Sequence, residues 1–211
     1  AGLAFAGMHP VVAVYSTFLN RAFDQLLMDV ALHTAGVTFV LDRAGITGDD
    51  GPSHNGMWDL ALTGIVPTLH VAAPRDAARL RETLRESLEI SDAPSLVRFP
   101  KGAVQTDIPA FERRDGIDVL YRGESADVLL ISVGAMAAIA VEAASQAYRE
   151  GVGVTVIDPR WVKPLPQSLV TMAQRYKSVV VLEDGIRHGG IASSISEMFR
   201  EAGLNVALHS I

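Results

Sequence analysis

Short runs of aliphatic and β-branched residues recur along this chain, each followed by a longer segment with helical spacing. Such alternation fits βαβ units, because parallel strands need a crossover segment between them. Strands are expected near residues 11–15, 37–41, 68–73 and 95–99, with helices near 17–34, 57–64 and 75–90. The segment Arg75 to Ile90 is amphipathic, and Pro74 suits the start of a helix. Residues 104–124 break the pattern with Pro109, Gly116, Gly123 and the mixed-charge run Glu112 to Asp115, and read as an interdomain linker. The alternation then restarts, with strands expected at 127–132, 153–158, 178–183 and 204–209 and helices at 135–150, 166–176 and 190–202. The fold class is therefore α/β, with two parallel-sheet three-layer lobes at residues 1–103 and 125–211.

Composition narrows the function. Hydrophobic residues make up 49% of the 211 positions and charged residues 20%, which is a globular and not a disordered balance. Mean hydropathy is +0.25, which points to surfaces that meet a partner or another part of the same polypeptide. A net charge of −6 argues against a general nucleic-acid binder. The absence of cysteine excludes disulfides, thiolate metal ligands and cysteine nucleophiles, and is compatible with the cytosol. Ala1 to Leu19 is apolar but lacks a basic leader and is interrupted by His9 and Pro10, so it does not read as a signal peptide. No uninterrupted apolar stretch reaches membrane-spanning length. Ala1 to Gly7 reads as the tail of a helix, and Ile211 directly follows a strand-like run, so an internal piece of a longer protein is expected.

The strand expected at 37–41 runs into a polar loop, Asp42 to Gly56, that holds Arg43, Asp49, Asp50 and His54 among four glycines. In open α/β sheets, ligands bind beyond the carboxyl ends of the strands. A cation, two carboxylates and an imidazole there can hold an anionic, hydroxylated substrate and move a proton. The same residues are also ordinary turn formers, so a plain surface turn is equally consistent with them. A second strand-to-helix turn places Tyr15, Phe18 and Arg21 together, with Leu19, Ala22, Phe23, Leu26, Leu27 and Val30 at helical spacing as the core face. An aromatic side chain beside an arginine can stack on a flat ring while the guanidinium holds an anion. From the residues alone, Phe18 reads more readily as a hydrophobic staple or core residue. In the second half, His188, Gly189 and Gly190 open a helix and could hold an anion, although a tight turn fits them better. No dinucleotide or P-loop glycine pattern is present.

Three segments, Tyr15 to Gln25, Asp42 to Gly56 and Arg98 to Gly102, resemble the 1-deoxy-D-xylulose-5-phosphate synthase family of thiamine-diphosphate enzymes in the transketolase superfamily. The resemblance covers essentially the whole chain, including Ile157 to Leu165. It implies a pyrimidine-binding transketolase-like domain over 1–103 and a transketolase C-terminal-like domain over 125–211. It implies an enzyme joining pyruvate to glyceraldehyde 3-phosphate with loss of carbon dioxide, toward isoprenoid precursors and thiamine. Phe18 matches the aromatic residue stacked on the aminopyrimidine. Tyr15, Asp50 and His54 match residues facing the substrates, and Arg21, Arg43 and Lys101 match the group that recognises the acceptor phosphate. Lys101 stands where relatives often have arginine, and Ala192 where they often have glycine. The resemblance further implies a cytoplasmic homodimer, with the Mg²⁺–diphosphate site and the glutamate acting on the pyrimidine ring outside these residues. No metal ligand is assigned here, and the segment alone is expected to be inactive. Two other readings stay open: a 2-oxo acid dehydrogenase beta subunit or other transketolase-type enzyme, and a non-catalytic α/β interaction module.

Overall fold

The computed structural model describes residues 1–103 and 106–211. A short α1 (Gly2–Phe5) precedes β1 (Val11–Tyr15). A 3₁₀ turn at Ser16–Phe18 then opens α2 (Leu19–Asp24), which widens into a π-helix over Gln25–Ala31. Next come β2 (Thr38–Asp42), α3 (Asp59–Gly64), β3 (His70–Ala72), α4 (Ala77–Glu89) and β4 (Ser95–Arg98). Each expected strand and helix of this half is present, with ends shifted by a few residues. The start of α4 is set by Asp76, whose carboxylate accepts from the backbone N–H of Arg79 at 2.8 Å, a side-chain cap in place of a missing helical bond.

The second half holds β5 (Glu112–Arg114), β6 (Ile117–Tyr121), β7 (Val128–Ser132), α5 (Ala137–Arg149), β8 (Val154–Asp158) and β9 (Trp161–Lys163). It ends with α6 (Ser168–Ala173), β10 (Ser178–Leu182), α7 (Ile191–Glu201) and β11 (Ala207–Ser210). The first sheet has the order β1-β2-β4-β3-β9 and the second β11-β10-β7-β8-β6-β5.

Two features differ from the reading of the sequence. Residues 112–121 of the expected linker form a hairpin on the second sheet, with β5 and β8 both antiparallel to β6. Val104 and Gln105 of that stretch lie outside the described residues. The mixed charges that suggested a solvated linker are paired: Arg113 binds Asp118 within the hairpin and Glu82 on α4. The other difference is β9, which leaves the second lobe after β8 and pairs antiparallel with β3 of the first sheet. Its three residues are too few to show a period, and its partner is 92 positions away in the register pair Val71–Lys163.

One apolar cluster runs through both lobes, from Leu26, Leu41 and Leu96 to Ile117, Ile131 and Ile195, all nearly or fully buried. A smaller cluster under α5 includes Leu130, Ala140 and Val156. Buried charge also joins the lobes: one Arg75 nitrogen donates to Asp118 and to Asp158, each at 2.7 Å. The edge of the first sheet at β1 differs. Val11 and Val12 are exposed there, as are Leu3 and Phe5 on α1, Met28 on the π-helix and Leu32 just after it.

Candidate functional site

Parallel pairing decides where the polar segments meet. Tyr15 at the end of β1 is in register with Asp42 at the end of β2, and Leu41 is in register with Arg98 at the end of β4. Three chain segments therefore leave the same edge of the first sheet side by side. They are the turn Tyr15 to Phe18, the glycine loop from Arg43, and Phe99 to Lys101.

The glycine loop is folded back on itself. Gly45 and Gly56 exchange backbone hydrogen bonds of 3.3 and 2.8 Å, and Asn55 Oδ1 accepts from both the N–H and the hydroxyl of Thr47 at 3.0 Å. Arg43 at its root adopts φ +61°, an uncommon left-handed conformation for a residue with a side chain. That turn lays its guanidinium over the Tyr15 ring, 3.9 Å from the centroid. The Tyr15 and Phe18 rings stack at 5.8 Å, and His54 meets Phe18 edge-on at 5.7 Å. His54 Nδ1 lies 3.1 Å from the Ser53 hydroxyl, and Thr17 donates to the Ser53 carbonyl at 3.0 Å. The tip of the loop is thereby tied to the aromatic turn.

Asp50 occupies the centre of the cationic group. Lys101 Nζ lies 2.8 Å from one of its oxygens and Arg43 Nε 3.4 Å from the other. Arg43 also pairs with Asp42. The hydrogen bond from Lys101, outweighing some desolvation, holds the Asp50 carboxyl below its ordinary range. Six of the seven expected site residues thus converge: Tyr15, Phe18, Arg43, Asp50, His54 and Lys101. Arg21 does not join these contacts. It is exposed on α2, three residues beyond Phe18. Asp50 already neutralises two of the three cations that the resemblance assigns to the acceptor phosphate, Arg43 and Lys101.

An exposed aromatic face beside cations offers stacking and charge together. Phe18 is 44% and Tyr15 37% exposed, a large aromatic surface left open at a strand-to-helix turn. The cations beside it are part-exposed, so their contacts to Asp50 can be exchanged for an incoming anion. The helix start at His188 to Gly190 offers no such place. Glu183 accepts there from the N–H groups of Ile191 at 2.8 Å and Ala192 at 3.0 Å, so the helix end is capped by the chain itself. Burial keeps the Glu183 carboxyl above its ordinary pKa despite those bonds. Gly189 has φ +76°, which agrees with the tight turn.

Sequence reasoning missed a buried group beneath the site. Arg98 Nε donates to Asp59 at 2.7 Å and Arg98 NH1 to Asp184 at 2.8 Å, and the Ser16 hydroxyl donates to Asp59 at 3.0 Å. Burial alone would lower the Arg98 pKa, but Asp59 and Asp184 outweigh it and hold the guanidinium more firmly charged than usual. Arg98 belongs to a motif segment. Its partners lie 39 and 86 positions away, beyond any local pattern.

The transketolase pyrimidine-binding domain matches residues 1–106, and the transketolase C-terminal domain matches residues 118–211. A 1-deoxy-D-xylulose-5-phosphate synthase of Leifsonia xyli subsp. xyli is 56% identical over the whole chain. One of Mycolicibacterium gilvum is 61% identical over 98% of it. The chain spans about a third of the length of these curated relatives, 33% in each case. A solved structure described as a split-gene transketolase, inactive beta4 tetramer, superposes with a TM-score of 0.87 at 28% identity, covering all of this chain and 68% of its own. The chain belongs to the transketolase family, carrying the pyrimidine-binding domain followed by the C-terminal domain, and its relatives there are 1-deoxy-D-xylulose-5-phosphate synthases.

Proposed function

We propose that these residues are the pyrimidine-binding and C-terminal portion of a transferase that condenses pyruvate with glyceraldehyde 3-phosphate. The products are carbon dioxide and 1-deoxy-D-xylulose 5-phosphate, a starting point for isoprenoid precursors and thiamine. The observation that carries this reading is the meeting of an open aromatic surface, an imidazole and a cationic pair at one sheet edge. The identity of 56–61% to synthases of that name supports it. The same relatives weigh against a 2-oxo acid dehydrogenase beta subunit, which has no phosphorylated acceptor to hold.

In this reading the exposed face of Phe18 stacks on the pyrimidine of thiamine diphosphate, with Tyr15 packed behind it. When bound, the cofactor supplies the nucleophilic carbon that bonds to pyruvate. Arg43 and Lys101, with Arg21 moving in from α2, bind the phosphate of the acceptor. Arginine presents a planar fork of donors to phosphate, whereas Lys101 acts as a point charge. The acceptor phosphate displaces the Asp50 carboxylate from these cations, which frees Asp50 to accept from a substrate hydroxyl. His54 donates or removes a proton at the acceptor oxygen, a task imidazole side chains commonly perform.

The domain division at 1–103 and 125–211, a cytoplasmic location and a homodimer are parts of the same proposal. So is Mg²⁺ bound with the cofactor diphosphate on a separate domain. Among the described residues no group of His, Asp or Glu has the makeup of a metal site, and Asp49–Asp50 lacks an octahedral ligand set. These residues alone should not turn over substrate, and the similar split-gene transketolase is described as inactive. The test is product formation by the full-length polypeptide with pyruvate, glyceraldehyde 3-phosphate, thiamine diphosphate and Mg²⁺. No product under those conditions, or product from residues 1–211 alone, would refute the respective parts.

A further inference from the structure

The three segments that carry the candidate site all rest on one buried ion group, and one member of that group comes from the other lobe. Asp59 Oδ2 accepts from Arg98 Nε and from the Ser16 hydroxyl, while its Oδ1 accepts from the Leu60 N–H at 2.7 Å. Ser16 lies between Tyr15 and Phe18, and its hydroxyl also reaches the Gly56 carbonyl at 3.4 Å. Arg98 ends β4, three residues before Lys101. The remaining contact, Arg98 NH1 to Asp184, crosses to the turn after β10. Side-chain exposure is 2% for Arg98, 1% for Asp59 and 14% for Asp184.

Asp184 also presses on the glycine loop. A Cβ on Gly45 would stand 2.4 Å from Asp184 Oδ2, and Gly45 has φ +74°, so a side chain here would push that carboxylate aside and strain the backbone. A Cβ on Gly56, across the closing pair of hydrogen bonds, would stand 2.5 Å from Ser16. The next residues of the same turn reinforce the seat, with the Ile186 N–H donating to the Met57 carbonyl at 2.9 Å. The loop root is therefore held between Ser16 on one side and Asp184 on the other, with Arg98 joining the two through Asp59.

We propose that Asp184 is a positioning residue for the acceptor-phosphate site, through which the C-terminal lobe sets the placement of Arg43, His54 and Lys101. It touches neither the aromatic surface nor the cations. It acts through Arg98 and the Gly45 backbone. A carboxylate is needed because Arg98 is charged and buried, and an amide in its place leaves that charge short of a partner. A small displacement at the loop root becomes a displacement of the phosphate donors, and such misplacements are costly to a reaction that depends on alignment. This assignment of a role in acceptor binding rests on the proposed function. The mechanical link does not.

The experiment compares the full-length protein with its Asp184→Asn variant, which keeps the side-chain shape. Hydrogen exchange is read peptide by peptide in both. Amides of residues 43–56 should exchange about tenfold faster in the variant, an effect on local opening, while Leu129 to Ile131 in the second sheet stay as protected as before. Steady-state kinetics should show the KM for glyceraldehyde 3-phosphate raised on the order of tenfold and the KM for pyruvate little changed. Unchanged exchange across 43–56 overturns the proposal, as does a uniform loss of protection with wild-type KM values, which would make Asp184 a stability residue only. A wild-type protein with no turnover refutes the proposed function separately, and the exchange comparison still decides whether Asp184 holds the loop.

Discussion

Two ion groups lie near the same edge of the first sheet and have opposite characters. In the lower one, Arg98 sits between Asp59 and Asp184, shut away from water. In the upper one, Asp50 sits between Arg43 and Lys101, with all three side chains about a quarter to a third exposed. The composition is inverted: one cation with two carboxylates below, and one carboxylate with two cations above. A buried pair cannot trade its partner for water without a large desolvation cost, so it is a permanent joint. A part-exposed pair is worth little in itself and can be exchanged for another anion. In the proposed function, the lower group fixes the segments and the upper group binds the acceptor with them.

Breaking the lower group should have the largest effect. Arg98→Met leaves Asp59 and Asp184 buried without their cation, and loss of one partner from a buried pair typically costs about 3–5 kcal/mol. Urea unfolding of the full-length protein measures this, and a loss under about 1 kcal/mol would erase the distinction from an exposed pair. The upper group should fail in the opposite manner. Lys101→Ala or Arg43→Ala should raise the KM for glyceraldehyde 3-phosphate roughly ten- to a hundredfold, the loss of one charge-assisted contact. Stability should move by less than about 1 kcal/mol. The penalty should shrink with glyceraldehyde as acceptor, and equal penalties for both acceptors would return these residues to ordinary pairing. Arg21→Ala sharpens the comparison, because Arg21 stands outside the group and matters only if it moves in when the phosphate binds.

His54→Ala should lower turnover by on the order of a hundredfold, within the usual range for a proton-transferring group. Its loop contributes little to the core, so the melting temperature should hardly change. A fall in melting temperature as large as that of a core truncation would place His54 with the lower group. The smallest effect concerns pH. Lys101 foremost, with Arg43, lowers the Asp50 pKa in the folded protein. The folded state therefore binds this proton less readily than the unfolded state. The stabilising contribution is present above the ordinary aspartate value near ~4 and is lost as pH falls through the lower folded value. Wild type should thus exceed Asp50→Asn slightly at neutral pH, and the gap should close in acid. A gap that stays constant across that range would show that the charge of Asp50 is not its source.

Much of this site was legible because it lies in contiguous stretches. Val37 to Leu41 is a buried strand pattern followed by a glycine-rich polar loop, which places the loop at a sheet edge but fits a plain surface turn equally. The aromatic turn was legible from Tyr15, Phe18 and the helical spacing behind them. What could not be read was the anion between the cations. Asp50 and Lys101 are 51 positions apart, and each has an adequate separate reading as a substrate-facing acid and a phosphate contact. The hairpin at Glu112 to Tyr121 was hidden for a related reason. Its charges resemble a solvated linker until Glu82 and Asp118 are seen to pair with Arg113.

The sequence by itself determined the two βαβ runs, the ends of strands where polar loops begin, and the residue types offered there. These follow from hydrophobic period and turn chemistry, which act over a few residues. Only the tertiary structure decided which charges are joints and which are open to a ligand. That depends on burial and on partners from the other lobe, and neither is a property of any short stretch of chain. Asp184 shows the division most clearly. In the sequence it is one acidic residue before a glycine turn, and in the fold it closes the ion group that holds the site.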